Sequence, residues 1–318
     1  MTIQPDDFES RHFTIEPIAD GVYGAVHRPG GWAIANAGII DLGDGCLVFD
    51  TFLTPAAGAD LCTAAEALTG GPVRYLVNSH YHNDHIWGNQ AFSSETPIVS
   101  SGETRQLIET KGQQEYDWYL ENSADTLAEL EGQLTQAENE AERESIQFSL
   151  LYYQALAASM PSVEVRLPTQ TFDSKFRLQG SFGDVVLTTF GPAHTANDTI
   201  LNIPSLGIVF TADLLFVGCH PYLPDGDVDG LLAALEAVKE LNAEVLLPGH
   251  GPVARPADLD TMIQYLHDVN GSARELAREV ALADEPVFEV PPRYASWGYA
   301  PFFQASMSFL VDHVQSDE

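Results

Sequence analysis

The chain is 318 residues long and 45% hydrophobic, with 14 Lys and Arg against 46 Asp and Glu, a formal net charge of −32. That length and apolar fraction can build a sizeable core, in one large domain or two small ones. The charge sets aside nucleic acid and anionic membranes as partners, because their phosphates are repelled at long range.

Only Lys111, Lys175 and Lys239 are lysines. So acidic a surface is either that of a protein kept stable by high salt, where screening relieves self-repulsion, or that of an acidic mesophilic protein. The halophilic reading expects the melting temperature to rise between low and molar salt, and a flat response rejects it. Met1-Thr2-Ile3-Gln4-Pro5-Asp6-Asp7 lacks the pattern of a secretory leader, and no apolar run approaches the roughly 18 residues of a membrane span, so a soluble, cytoplasmic protein is expected. Cys46, Cys62 and Cys219 stand in no CxxC or CxxH spacing and read as isolated thiols.

Residues 22–27, 32–41 and 46–52 are rich in branched and aromatic side chains, and Gly43-Asp44-Gly45 marks a tight hairpin between the last two, so a β-meander is expected. Thr54-Pro55 then opens a helix with Leu61, Ala64, Ala65 and Leu68 on one face, stopped at Gly70-Gly71. A short apolar strand over 73–78 delivers Ser79-His80-Tyr81-His82-Asn83-Asp84-His85 to the loop beyond it. From 103 to 160 the chain turns polar and glycine-poor, with Leu127, Leu130, Leu134 and Ala137 on one stripe, which predicts an inserted helical hairpin. A structural or dimer-forming role for it ranks ahead of a lid over the site.

Strands follow over 184–190 and 206–211, then a helix capped by Asp229 with Leu231, Leu232, Leu235, Val238 and Leu241 on a face. A strand over 244–247 ends at Pro248-Gly249-His250-Gly251, and Pro256 opens a last long helix carrying Leu259, Met262, Ile263, Leu266 and Val269. No Pro-, Gly- or Ser-rich linker separates two units, so 1–318 reads as a single α/β domain, a duplicated sandwich with the hairpin at 103–160.

His80-x-His82-x-Asp84-His85 packs three imidazoles and a carboxylate into six positions after a strand. Residues two apart in extended chain point the same way, so His80 and His82 can grip one metal, while the following turn lets Asp84 and His85 face a second. The order of motifs resembles the metallo-β-lactamase superfamily: Asp50 at a strand end, the cluster at 80–85, His194 in Gly191-Pro192-Ala193-His194-Thr195, Asp213 in Phe210-Thr211-Ala212-Asp213, and His250 in Pro248-Gly249-His250-Gly251. The resemblance spans about residues 15–255 and implies a four-layer αββα sandwich. It also implies that His80, His82 and His194 bind one metal and Asp84, His85 and His250 another, with Asp213 bridging and Asp50 orienting ligands through hydrogen bonds.

Two such ions imply hydrolysis, a metal-bridging hydroxide attacking a carbonyl ester, lactone, thioester or lactam, with Asp84 orienting it. Nitrogen and oxygen ligands suit two Zn²⁺ per chain and leave Fe or Mn open. The β-lactamase subclass it resembles around His194 has a Cys where Asp213 stands and a nearby Lys, so penicillin hydrolysis is disfavoured. Beyond 255 only Arg255, Arg274, Arg278 and Arg293 are basic, with no glutathione-binding pattern of the glyoxalase II kind. Lactone-like small molecules lead. An iron-dependent persulfide dioxygenase, using His80, His194 and Asp213, and a non-catalytic scaffold that forms homo-oligomers through the hairpin are the alternatives. In the loop after Asp213, His220 or Tyr222 could steady a developing oxyanion, and Trp32, Trp87, Trp297 and Tyr299 could form an apolar pocket; ordinary packing is the competing reading of all six.

Overall fold

The computed structural model describes residues 2–277 and 287–317; Arg278 lies outside them. Strands β1 (Phe13–Ala19), β2 (Val22–His27), β3 (Ala37–Asp41) and β4 (Cys46–Phe49) form an antiparallel meander. The β3–β4 turn is fixed by the Asp41 carboxylate accepting from the Gly43 N–H. Strand β1 has no counterpart among the sequence expectations, because its polar, proline-bearing FTIEPIA run lacks clean alternation.

Two of the expected strands are shorter than their composition suggests. Residues 32–36 stay outside β3 because Asn36 is committed elsewhere: its side-chain amide donates to the carbonyls of Pro248 and Gly251 and accepts from the His27 N–H. Strand β4 stops at Phe49 because Asp50 and Phe52 take left-handed backbone angles, φ 61° and 73°.

Helix α1 (Pro55–Thr69) begins where the Thr54 hydroxyl accepts from the Ala57 N–H and ends on a left-handed Gly70, with Leu61, Ala64, Ala65 and Leu68 all buried. Then come β5 (Val73–Val77), the single turn α2 (Asn83–Ile86), β6 (Ile98–Ser101), α3 (Gly102–Leu107), a π-helical turn (Ile108–Gly112), and the long pair α4 (Gln113–Gln136) and α5 (Glu140–Ser159). Strands β7 (Gln170–Phe172), β8 (Lys175–Gly180), β9 (Gly183–Phe190), β10 (Asp198–Ile203) and β11 (Ile208–Phe216) precede α6 (Val228–Glu240), β12 (Val245–His250), α7 (Pro256–Leu276) and α8 (Ala300–Asp317). The cap of α6 is Asp227, which accepts from the Gly230 N–H; Asp229, expected there, sits one turn position inside the helix.

The strands form a seven-stranded sheet, β1 to β7 in chain order, and a five-stranded sheet ordered β12-β11-β10-β9-β8. Apolar side chains fill three successive interfaces. Leu61, Ala64 and Leu68 of α1 pack on Ile39, Val48 and Leu76 of the first sheet. Ile40, Leu47 and Val77 on its other face meet Leu187, Leu201 and Phe210 of the second. Leu231, Leu235, Leu259 and Leu266 of α6 and α7, with α8, cover the outer face of the second sheet. Three buried interfaces make four layers, helix, sheet, sheet and helix, the expected αββα sandwich with unequal halves. No helix among the described residues is long and apolar enough to cross a membrane.

Candidate metal centre

The ligand-bearing residues converge at one edge of the two sheets. His80 and His82 project together from the bend that follows β5, their rings 4.7 Å apart, and His82 precedes the single turn α2 that carries Asp84 and His85. His194 stands in the loop between β9 and β10, which Asp198 fixes by accepting from the Thr195 N–H at 2.8 Å and hydroxyl at 2.9 Å. Asp213 lies inside β11 rather than at a strand end: pairing with β12 is irregular around Ala212, whose φ of 45° turns the next carboxylate out of the ladder. His250 closes β12, its ring stacked on Phe216 with centroids 4.9 Å apart.

Two groups result, His80, His82, His194 and Asp213 in one, and Asp84, His85 and His250 in the other. In the first, His82 Nδ1 is 3.1 Å from both His80 Nε2 and His194 Nε2, and Asp213 Oδ2 is 3.2 Å from His194 Nε2 and 3.9 Å from His80 Nε2. A tetrahedron of 2.0–2.1 Å bonds has edges of about 3.3 Å, so this spacing fits one small divalent cation. In the second, His250 Nε2 is 3.5 Å from Asp84 Oδ2, and His85 Nε2 is 3.7 Å from Asp84 Oδ1. Asp213 joins the groups, with Oδ1 3.1 Å from His85 Nε2 and Oδ2 3.3 Å from His250 Nε2. Asp213 Oδ1 and His85 Nε2 are buried without a hydrogen-bond partner, which a cation between them would satisfy.

The outer ring nitrogens of His80, His82 and His85 are held by acceptors, which leaves their inner ones free to ligate, whereas the outer Nδ1 atoms of His194 and His250 are buried without a partner. The fully enclosed Asp50 accepts from the Ser79 N–H, the Ser79 hydroxyl and His85 Nδ1, each at 2.8 Å, and the Ser79 oxygen lies 2.9 Å from His80 Nδ1. His82 Nε2 meets Asp225 Oδ2 at 3.2 Å, and Asp225 is in turn 3.6 Å from Lys111. Burial raises the Asp213 carboxyl, but His250, His85 and His194 outweigh it and hold the group well below the usual range. Burial, then His85, drives His80 well below an ordinary imidazole. His85 goes the other way: burial lowers it, and Asp213, Asp84 and Asp50 more than reverse that. Asp213 thus stays ionised between the two groups, where a bound cation would pair with it in place of the proton on His85.

The groups open onto a cavity of about 420 Å³. Tyr222 and Tyr299 line it, whereas Trp32, Trp87 and Trp297 do not. His220 lies elsewhere, buried with Nδ1 3.0 Å from the Tyr265 hydroxyl and its ring among Tyr265, Trp297 and Phe303, so packing is its role. Burial pushes its imidazole down to about 4. The unfolded chain therefore binds this proton more readily between about pH 6.5 and 4, so the stabilising contribution is complete above 6.5 and lost as pH falls toward 4. His220→Gln should flatten the fall of melting temperature across that window, and an unchanged slope would discount His220 as a cause.

The helical pair supplies much of the cavity wall, with Glu115 and Tyr119 from α4 and Phe148, Tyr152 and Tyr153 from α5, so it is part of the site and more than a peripheral excursion. Sequence reading passed over Asp225 and Glu115 because carboxylates are everywhere in this chain. The aromatic spacing of Tyr119, Tyr152 and Tyr153 was the available signal.

Residues 30–250 match the family profile described as the Metallo-beta-lactamase superfamily. Among solved structures, the chain resembles the metallo-β-lactamase FIM-1 from Pseudomonas aeruginosa, in its mono-zinc form, at 17% identity and TM-score 0.57, covering 81% of this chain and 96% of that one. It also resembles a metallo-β-lactamase from Erythrobacter litoralis, at 14% identity and TM-score 0.58 over 82% and 98% of the chains, and one from Pontibacter korlensis, at 19% and 0.55 over 80% and 99%. At these identities the likeness is one of fold.

Proposed function

We propose that this chain, which belongs to the metallo-β-lactamase superfamily, is a dinuclear zinc hydrolase of small uncharged esters or lactones. The observation that carries the reading is Asp213, whose two oxygens stand 3.1 and 3.2 Å from His85 and His194 of the two ligand groups. His80, His82 and His194 would hold one cation and Asp84, His85 and His250 the other, with Asp213 shared. When bound, the pair supplies Lewis acidity, which brings a water toward ionisation at neutral pH and polarises a carbonyl oxygen.

The chain's own residues do the rest. Asp84, which lines the cavity, accepts a hydrogen from the attacking water and so aims its lone pair at the carbonyl carbon. Tyr222, with its ring 6.3 Å from that of His82, donates its hydroxyl to the carbonyl oxygen as negative charge develops there. Asp50 and Asp225 keep His85 and His82 in the ligating tautomer. The ester C–O bond then breaks, and the proton that Asp84 takes from the water passes to the leaving oxygen, giving a carboxylate and an alcohol.

Tyr222→Phe should lower kcat about 100- to 1000-fold at unchanged zinc content, since one donor to the oxyanion is lost; unchanged kcat would remove Tyr222 from the mechanism. Hydrolysis of a chromogenic ester and a lactone, lost on chelation and restored by zinc, tests the reading as a whole. No turnover from the zinc-loaded protein would overturn it.

We read residues 1–318 as one domain with 103–160 inserted, acting in the cytoplasm without nucleic acid. Self-association through the hairpin belongs to the same reading and is checked by sedimentation; Trp118 and Leu120, each 48% exposed, stand on opposite sides of α4 and do not make one face.

A further inference from the structure

Four aromatic rings from three distant parts of the chain form one wall starting at the metal ligands. Tyr299 packs on His250 with centroids 5.6 Å apart, and Tyr222 faces His82. Phe302 of α8 touches both, at 5.5 Å from Tyr299 and 5.5 Å from Tyr222, and Phe148 of α5 closes the wall at 4.6 Å from Tyr299 and 5.6 Å from Phe302. Leu151 extends it outward, 46% exposed at the rim.

No lysine or arginine is among the described residues lining this cavity. Lys111, close by, is engaged by Asp225 at 3.6 Å and lies 5.6 Å from the centre of the Tyr81 ring. The acidic residue on the hairpin side, Glu115, is pushed up to about 8 by burial, with Asp84 and Asp225 adding. One Glu115 oxygen accepts from Asn83 at 3.2 Å.

We propose that this wall selects the non-reacting part of the substrate, an apolar aromatic or alkyl tail without negative charge, and that Phe148 and Phe302 are its specificity-determining residues. A carbonyl at the ligand groups would lay its tail along Phe302 toward Phe148, where it buries apolar area. A tail ending in carboxylate would lose its hydration there and meet no cation. The inference rests on the site reading above but concerns binding, so it can be measured without turnover.

The test uses two hydroxamates of equal length, one ending in phenyl and one in carboxylate, titrated calorimetrically into the zinc-loaded protein. The phenyl compound should bind at least tenfold tighter. Phe148→Ala should erase most of that difference, and Ser149→Lys, which sets a cation in the wall, should tighten the carboxylate compound at least tenfold. Gln133→Lys adds the same charge on an exposed stretch of α4 and should leave the preference alone; variants are first matched for zinc content and circular dichroism.

Equal or tighter binding of the carboxylate compound would overturn the inference. So would phenyl binding indifferent to Phe148→Ala, or Gln133→Lys acting as strongly as Ser149→Lys, which would assign the preference to the overall charge of −32. Hydroxamates binding in the expected order, with no ester or lactone turned over, would leave this preference standing and remove the hydrolase reading alone.

Discussion

Gly249→Ala will lower kcat/KM by at least about a hundredfold and cost the protein much of its bound metal, although no ligand is touched. Gly249 lies between Pro248 and His250 at the end of β12, and a Cβ there would run into the Asp213 carboxylate and the backbone at Ala212. Asp213 is the residue common to both ligand groups, so displacing it disturbs both at once. Changes behind the ligands typically cost about 10- to 100-fold in metal affinity or activity, and moving a shared ligand directly should reach or exceed the upper figure. Gly102→Ala, where a Cβ meets nothing within 4 Å, is the control. Zinc analysis and ester hydrolysis on the two variants side by side check the prediction. Full metal and full turnover in Gly249→Ala would mean that Asp213 is not held where this geometry requires it.

Asp50→Ala should produce the second large effect, and on two quantities together. Asp50 is 1% exposed and accepts three hydrogen bonds, two from Ser79 and one from His85. Truncation leaves the Ser79 amide and the His85 ring without their acceptor in a site closed to water. Breaking a buried charged partnership of this kind costs about 3–5 kcal/mol of stability. It also frees the His85 ring to turn or change tautomer, so zinc affinity should fall about 10- to 100-fold. Denaturant unfolding and competition with a chromophoric chelator measure the two separately. A stability loss with zinc affinity intact would make Asp50 a purely structural residue.

The metal centre was legible because its residues are dense and in order: four candidate ligands in six positions after an apolar strand leave little room for a solvated loop. The later ligands, His194, Asp213 and His250, drew meaning from standing in register with that cluster, and the chain brings all seven to one edge. Helix α1 was legible from Thr54, Pro55 and Gly70, since capping is local chemistry. What stayed hidden is non-local. The commitment of Asn36 to the 248–251 turn, which makes β3 start late, depends on a contact over two hundred residues away. The placement of His220 depends on Tyr265 of α7, so a loop histidine near a candidate site turned out to be core.

The hairpin shows the same limit. Leu127, Leu130, Leu134 and Ala137 form the stripe that sequence periodicity picks out, yet all four are only half-buried and none lines the cavity. The hairpin's share of the cavity lining is instead Tyr119, Phe148, Tyr152 and Tyr153. Periodicity reports which face of a helix is apolar, and does not report what that face is apolar toward.

The central claim is that two metal sites share Asp213. Elemental mass spectrometry on protein purified without chelator tests it most directly, read as metal bound per chain alongside ester turnover. Close to two zinc ions per chain are expected, with turnover falling as either is removed. One iron per chain, oxygen uptake with a persulfide and no hydrolysis would contradict it.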